Sequence, residues 1–163
     1  MPNHLSSLGI VHTVISILAL IFGVIALIRD GKINPKNGLG KWYIVLTIAT
    51  CLTSFGIMKT GHFTPAHGLS VLVLILLAIG IYARSIWKKG TRGSTAEIII
   101  LSLTLFLSFI PAITESLTRL PIAQPIAENQ DASIVKMSNL GLAIVFTLII
   151  ILQVRKARML RQA

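Results

Sequence analysis

Acidic residues are scarce in this chain: its 163 residues include five Asp and Glu against fifteen Lys and Arg. Charge of either sign is thin as well, at 12 % of residues, where a soluble globular domain carries about 25 %. That deficit argues against a surface built to face water. The single cysteine, Cys51, excludes an intramolecular disulfide and, lying inside an apolar run, says nothing about redox compartment. No HExxH, CxxC or GxSxG occurs, and no two carboxylates lie together within an apolar run. Zinc-protease, dithiol, serine-hydrolase and paired-carboxylate chemistry therefore have no sequence support. The fragment GLGK invites a phosphate-loop reading, but Pro35 stands where the first glycine belongs and Trp42 replaces the Ser or Thr. No internal repeat or low-complexity tract is present.

What the chain does have is apolar length. It is 54 % hydrophobic with a mean hydropathy of +0.84. Five runs of about 18 to 23 residues stand out, at 8–28, 41–58, 66–86, 95–117 and 137–154. About 20 residues at roughly 1.5 Å each cross a hydrocarbon core of about 30 Å. Each run is expected to be helical, because lipid offers no partner for free backbone groups. The expected architecture is all-α, an integral membrane bundle of five transmembrane helices in one domain over residues 1–163. The first run is not expected to be a cleaved signal peptide. MPNHLSS before it holds no Lys or Arg, Arg29 and Lys32 follow it, and no Ala-x-Ala site ends it.

Lysine and arginine counts then orient the runs. The segment after the first run holds Arg29, Lys32, Lys36 and Lys41; the link between the third and fourth holds Arg84, Lys88, Lys89 and Arg92; the tail holds Arg155, Lys156, Arg158 and Arg161. With five alternating helices these twelve share one side, with Asp30 and Glu97. The opposite side has Lys59, Arg119 and Lys136 against Glu115, Glu128 and Asp131. The whole net charge of +10 thus falls on one face. The expectation is an N-terminus outside and a C-terminus in the cytoplasm. Trp42, Tyr43, Tyr82 and Trp87 fall at that basic level, where amphipathic rings anchor among headgroups. The implied partners are the bilayer and anionic lipid at the cytoplasmic face, with a homodimer or a membrane partner open. Nucleic acid is not expected.

Helical spacing groups the polar residues within the runs. His12, Ser16, Ala19, Gly23 and Ala26 share one face; Thr104, Ser108, Pro111 and Glu115 share another; Thr47, Cys51 and Ser54, and His67, Ser70 and Leu74, form two more. Small residues and hydroxyls on such faces serve close helix packing, and Pro111 is expected to kink its helix. The histidines are the sharper feature. His4, His12, His62 and His67 all fall toward the outer side, with Glu115 at the same level. Ionisable groups at membrane depth suggest function.

Three readings stay open. The imidazoles can be neutral and bonded to hydroxyls or carbonyls, with Glu115 paired to Arg119. His12 and His67 can be the cofactor ligands for haem or a metal ion, with Glu115, Ser16 and Ser108 around them. Or the cluster can be a proton or substrate site at the mouth of a path lined by Ser16, Ser54, Thr104 and Ser108. The corresponding functions are a haem- or metal-binding electron-transfer bundle, a small transporter or proton-coupled carrier, and a non-catalytic accessory subunit. No catalytic residue is assigned.

The segment His12 to Ala26, the turn NGLGKWY and the stretch FTPAHGL with His67 resemble a family of uncharacterised bacterial multi-span integral membrane proteins; FIPAITESLTRLP looks like an outer-end motif of related proteins. The resemblance implies a compact helical bundle in a bacterial cytoplasmic (inner) membrane and no established activity. Asn37 stands where that family's turn carries His, so a cytoplasmic-side histidine site is not implied here. The arrangement is also similar to di-haem transmembrane cytochromes. Those need four ligating histidines near two levels, so this chain could serve one haem.

Overall fold

The computed structural model describes residues 6–57, 64–87 and 91–159. Among them the chain forms five helices and no strands: α1 Ser7–Asp30, α2 Gly38–Phe55, α3 Pro65–Ile86, α4 Thr91–Arg119 and α5 Ser133–Met159. Each is long and apolar enough to cross a membrane. The shortest, α2, has 18 residues and reaches about 27 Å, close to the thickness of a hydrocarbon core.

Local sequence sets where the helices begin and stop. The Ser6 side chain accepts from the Gly9 N–H at 3.1 Å and Asn37 does the same for Gly40 at 2.9 Å, each satisfying a donor that the first turn leaves open. α1 ends at Gly31, whose φ of 69° is the left-handed conformation that a residue without a Cβ adopts freely. GLGK turns out to be the first turn of α2. Pro65 opens α3, where the missing N–H costs nothing. Pro111 lies inside α4 without ending it.

Successive helices run antiparallel. α1 packs on α2, α2 on α3, α3 on α4 and α4 back on α1, closing a four-helix ring; α5 packs against α4 alone. Tyr43, Leu77, Leu101 and Leu105 fill the ring interior and Phe146 of α5 joins them from outside. The small-residue face of α1 points inward, with Ala19, Gly23 and Ala26 buried. A Cβ on Gly23 would stand 2.7 Å from Leu105 Cδ1 and 3.0 Å from Tyr43 Cδ2, so the close approach of α1 to α2 and α4 needs glycine there. Outward positions such as Ile17, Leu52, Ile75 and Leu148 are exposed and apolar, the pattern of helices whose outer surface meets lipid rather than water.

Alternation gives the bundle two chemically different ends. One collects Arg29, Asp30, Lys32, Lys36, Lys41, Arg84, Arg92, Glu97, Arg155, Lys156 and Arg158; the other holds His12, His67, Glu115, Arg119, Glu128, Asp131 and Lys136. His4, His62, Lys59, Lys88, Lys89 and Arg161, together with Met58 at the expected limit of the second run, lie outside the described residues.

Candidate functional site

The histidine end is built around the last turn of α2. From α1, His12 Nδ1 lies 2.9 Å from Thr53 Oγ1. The Thr53 hydroxyl directs its single proton to the Ala49 and Thr50 carbonyls at 2.9 and 3.0 Å. It therefore accepts from His12, so Nδ1 carries the proton and the Nε2 lone pair stays open. On α3 the opposite holds. The Thr64 backbone N–H donates to His67 Nδ1 at 3.0 Å, with the Thr64 hydroxyl at 2.8 Å. An N–H donor forces Nδ1 to be the acceptor, which places the His67 proton on Nε2. His67 thus completes a capping box for its own helix; it is 3 % exposed, and its ring stacks on Phe55 at a centroid distance of 6.0 Å.

Thr53 and Phe55 are two residues apart, so their side chains leave α2 about 200° from each other. His12 approaches one face and His67 the other. α1 and α3 do not pack together. The end of α2 therefore stands between the two imidazoles. Glu115 lies within electrostatic range of His12 and forms an ion pair with Arg119 one turn on. Among the described residues no group of three or more His, Cys, Asp or Glu is placed to hold a metal ion.

The hydroxyls expected along a polar path are largely turned into their own helices. Ser16 donates to the His12 carbonyl at 2.6 Å, Ser108 to the Thr104 carbonyl at 2.9 Å and Thr104 to the Leu101 carbonyl at 2.8 Å. Such back-bonds satisfy a hydroxyl without needing a neighbour. Two cross-helix links remain, Ser54 to Ser70 at 2.8 Å and Tyr43 to Thr104 at 2.8 Å. Thr50 Oγ1 and Asn139 Oδ1, also toward this end, are buried with no hydrogen-bond partner among the described residues.

The basic end holds what the sequence reading passed over. Glu97, counted there as an interfacial charge, is 1 % exposed. Arg84 grips it with both prongs, Nε to Oε2 at 2.6 Å and Nη2 to Oε1 at 2.8 Å. A planar fork on a carboxylate is the strong form of the ion pair. Gln153 of α5 accepts from the Ser102 hydroxyl at 2.8 Å and donates to the Gly31 carbonyl at 2.9 Å. It ties α5, α4 and the α1–α2 turn together. Opposite charges at facing ends of two runs, and a lone Gln inside a third, were the available signals. An open cleft of about 220 Å³ lies beside this junction, lined by Asp30, Gly31, Lys32, Ser94, Gln153 and Lys156.

Compared with family models, with curated proteins and with solved structures, the chain matches none. The likeness drawn from short motifs stays an expectation.

Proposed function

We propose that this protein is a five-span integral membrane protein, N-terminus outside and basic end cytoplasmic, acting as a non-catalytic subunit of the bacterial cytoplasmic membrane. Lys/Arg asymmetry supports the orientation, and the short-motif resemblance supports the bacterial membrane.

One observation carries the non-catalytic reading: His67 is committed to capping α3. Ligation through Nδ1 would displace the Thr64 N–H. Ligation through Nε2 would need the proton on Nδ1, facing that same donor. His12 keeps one open lone pair, and α2 stands between it and His67. Two axial haem ligands, or a His, His and Glu metal set, would require α3 to lose its cap and α2 to move. We therefore read the cluster as helix fastening rather than a cofactor site. Protein purified in mild detergent from haem-replete cells is expected to be colourless and free of stoichiometric metal. A Soret band or bound metal that disappears in His12→Ala or His67→Ala would overturn this reading and restore the electron-transfer one.

A proton-coupled carrier is the second reading, favoured by the open Nε2 of His12 within range of Glu115. It requires that Glu115→Gln abolish uptake in reconstituted vesicles while the protein stays folded.

A further inference from the structure

We propose that the basic end carries a specific site for one anionic glycerophospholipid, its phosphate in the cleft between α1, α4 and α5 and an acyl chain in the groove between α1 and α5. The inference rests on these three helices crossing a bilayer; it adds a located and selective ligand.

The cleft has unmet positive charge. Lys32 and Lys156 both line it, and neither has an ion-pair partner among the described residues. Lys156 Nζ hangs over the α1–α2 turn, 3.8 Å from where a Cβ on Gly31 would sit. The one carboxylate in the lining is already occupied: Asp30 accepts from Arg29 Nε at 2.9 Å and from Asn37 Nδ2 at 2.6 Å. The cleft also offers a hydroxyl: Ser94 lines the cavity, and a phosphate oxygen would accept a hydrogen bond from it. Two lysines and a serine lining about 220 Å³ suit a phosphate, with room for roughly seven water volumes.

A free phosphate would leave the adjoining groove unexplained. A second hollow of about 190 Å³ shares Gly31, Gln153 and Lys156 with the first and continues along Leu27, Ile149 and Leu152. It exists because α5 packs on α4 and not on α1. Its walls are apolar, while the end next to the cleft is cationic. That order, charge at the surface and hydrocarbon beneath it, is the order of groups in a phospholipid. Basic hollows between membrane helices on the cytoplasmic side hold such headgroups.

The test is the thermal midpoint of the detergent-purified protein, titrated with phosphatidylglycerol, phosphatidylcholine or inorganic phosphate. Phosphatidylglycerol is expected to raise the midpoint in one saturable phase, with phosphatidylcholine inert. Lys32→Gln and Lys156→Gln should each weaken half-saturation about fivefold. Lys36→Gln and Arg158→Gln, exposed at the same end but outside the cleft, should not. Ile149→Trp, filling the groove, should remove the lipid response and leave any phosphate response. Equal effects from all four charge variants would mean diffuse attraction and overturn the site. So would an equal response to phosphatidylcholine, or saturation by inorganic phosphate at the same concentration. If Lys156→Gln does not fold, Lys32→Gln against Lys36→Gln decides alone. Release of the protein from vesicles by alkaline wash would instead sink the membrane-spanning reading, whatever the titrations show.

Discussion

The two ends of this bundle use their polar side chains differently. At the histidine end His67 caps its own helix and Glu115 pairs with Arg119 along one helix face, while His12 reaches Thr53 on the neighbouring helix. At the basic end the bonds reach across the chain, from Arg84 to Glu97 and from Gln153 to both Ser102 and Gly31. There, too, two lysines without an ion-pair partner among the described residues line a cleft. The difference teaches that unpaired charge beside a cavity points to a ligand, whereas a buried unpartnered oxygen such as Thr50 Oγ1 or Asn139 Oδ1 does not do so by itself.

Substitutions can break that contrast. The largest effect is expected for Arg84→Ala, which leaves the Glu97 carboxylate buried without its partner. A loss of about 3 kcal/mol is expected, at the low end for a broken buried pair because the Arg84 side chain is 40 % exposed. Denaturant unfolding in detergent measures it, and Arg84→Ala with Glu97→Ala should recover much of the loss. Non-recovery would show that the charge pair is not what holds α3 to α4. Next is Gln153→Leu, which removes two bonds and leaves the Gly31 carbonyl and Ser102 hydroxyl open. About 2 kcal/mol should go, with faster proteolysis between α1 and α2.

Smaller changes belong to the other end. His67→Ala should cost about 1 kcal/mol through the lost cap, and His67→Glu, which offers a carboxylate at the same capping-box position, should restore most of it. A catalytic or ligating histidine would show no such rescue. His12→Ala and Thr53→Val should each cost roughly 0.6 to 2 kcal/mol and, combined, hardly more than either alone. Smallest of all, Thr50→Val replaces an unpartnered buried hydroxyl by a methyl and is expected to leave the midpoint unchanged or slightly raised. A clear drop there would mean that the hydroxyl has a use the contrast misses.

Hydrophobic length made the helices readable in advance, since five apolar runs of spanning length admit little else. It located their ends less well. α4 starts at Thr91 rather than 95, and α5 runs from Ser133 to Met159 rather than over 137–154. Hydropathy reports where a helix is apolar, whereas backbone hydrogen bonding carries on through polar residues such as Arg92 and Lys156. The level of the histidines was also open to inference, because α1 and α3 start at the same end. Which helix would stand between them was not. Spacing within one run says nothing of the neighbours chosen by another, and Thr53 and Phe55 divide the imidazoles through their positions on α2. The role of Glu97 was not legible because a charge near the end of an apolar run looks solvated until Arg84, thirteen residues earlier on α3, is seen bonded to it.

The bond from Gln153 to the Gly31 carbonyl joins residues 122 positions apart. During synthesis, the α1–α2 turn is made long before the amide that will seal it has been translated. That bond can therefore form only after α5 has been made, whatever the order in which the other helices pack.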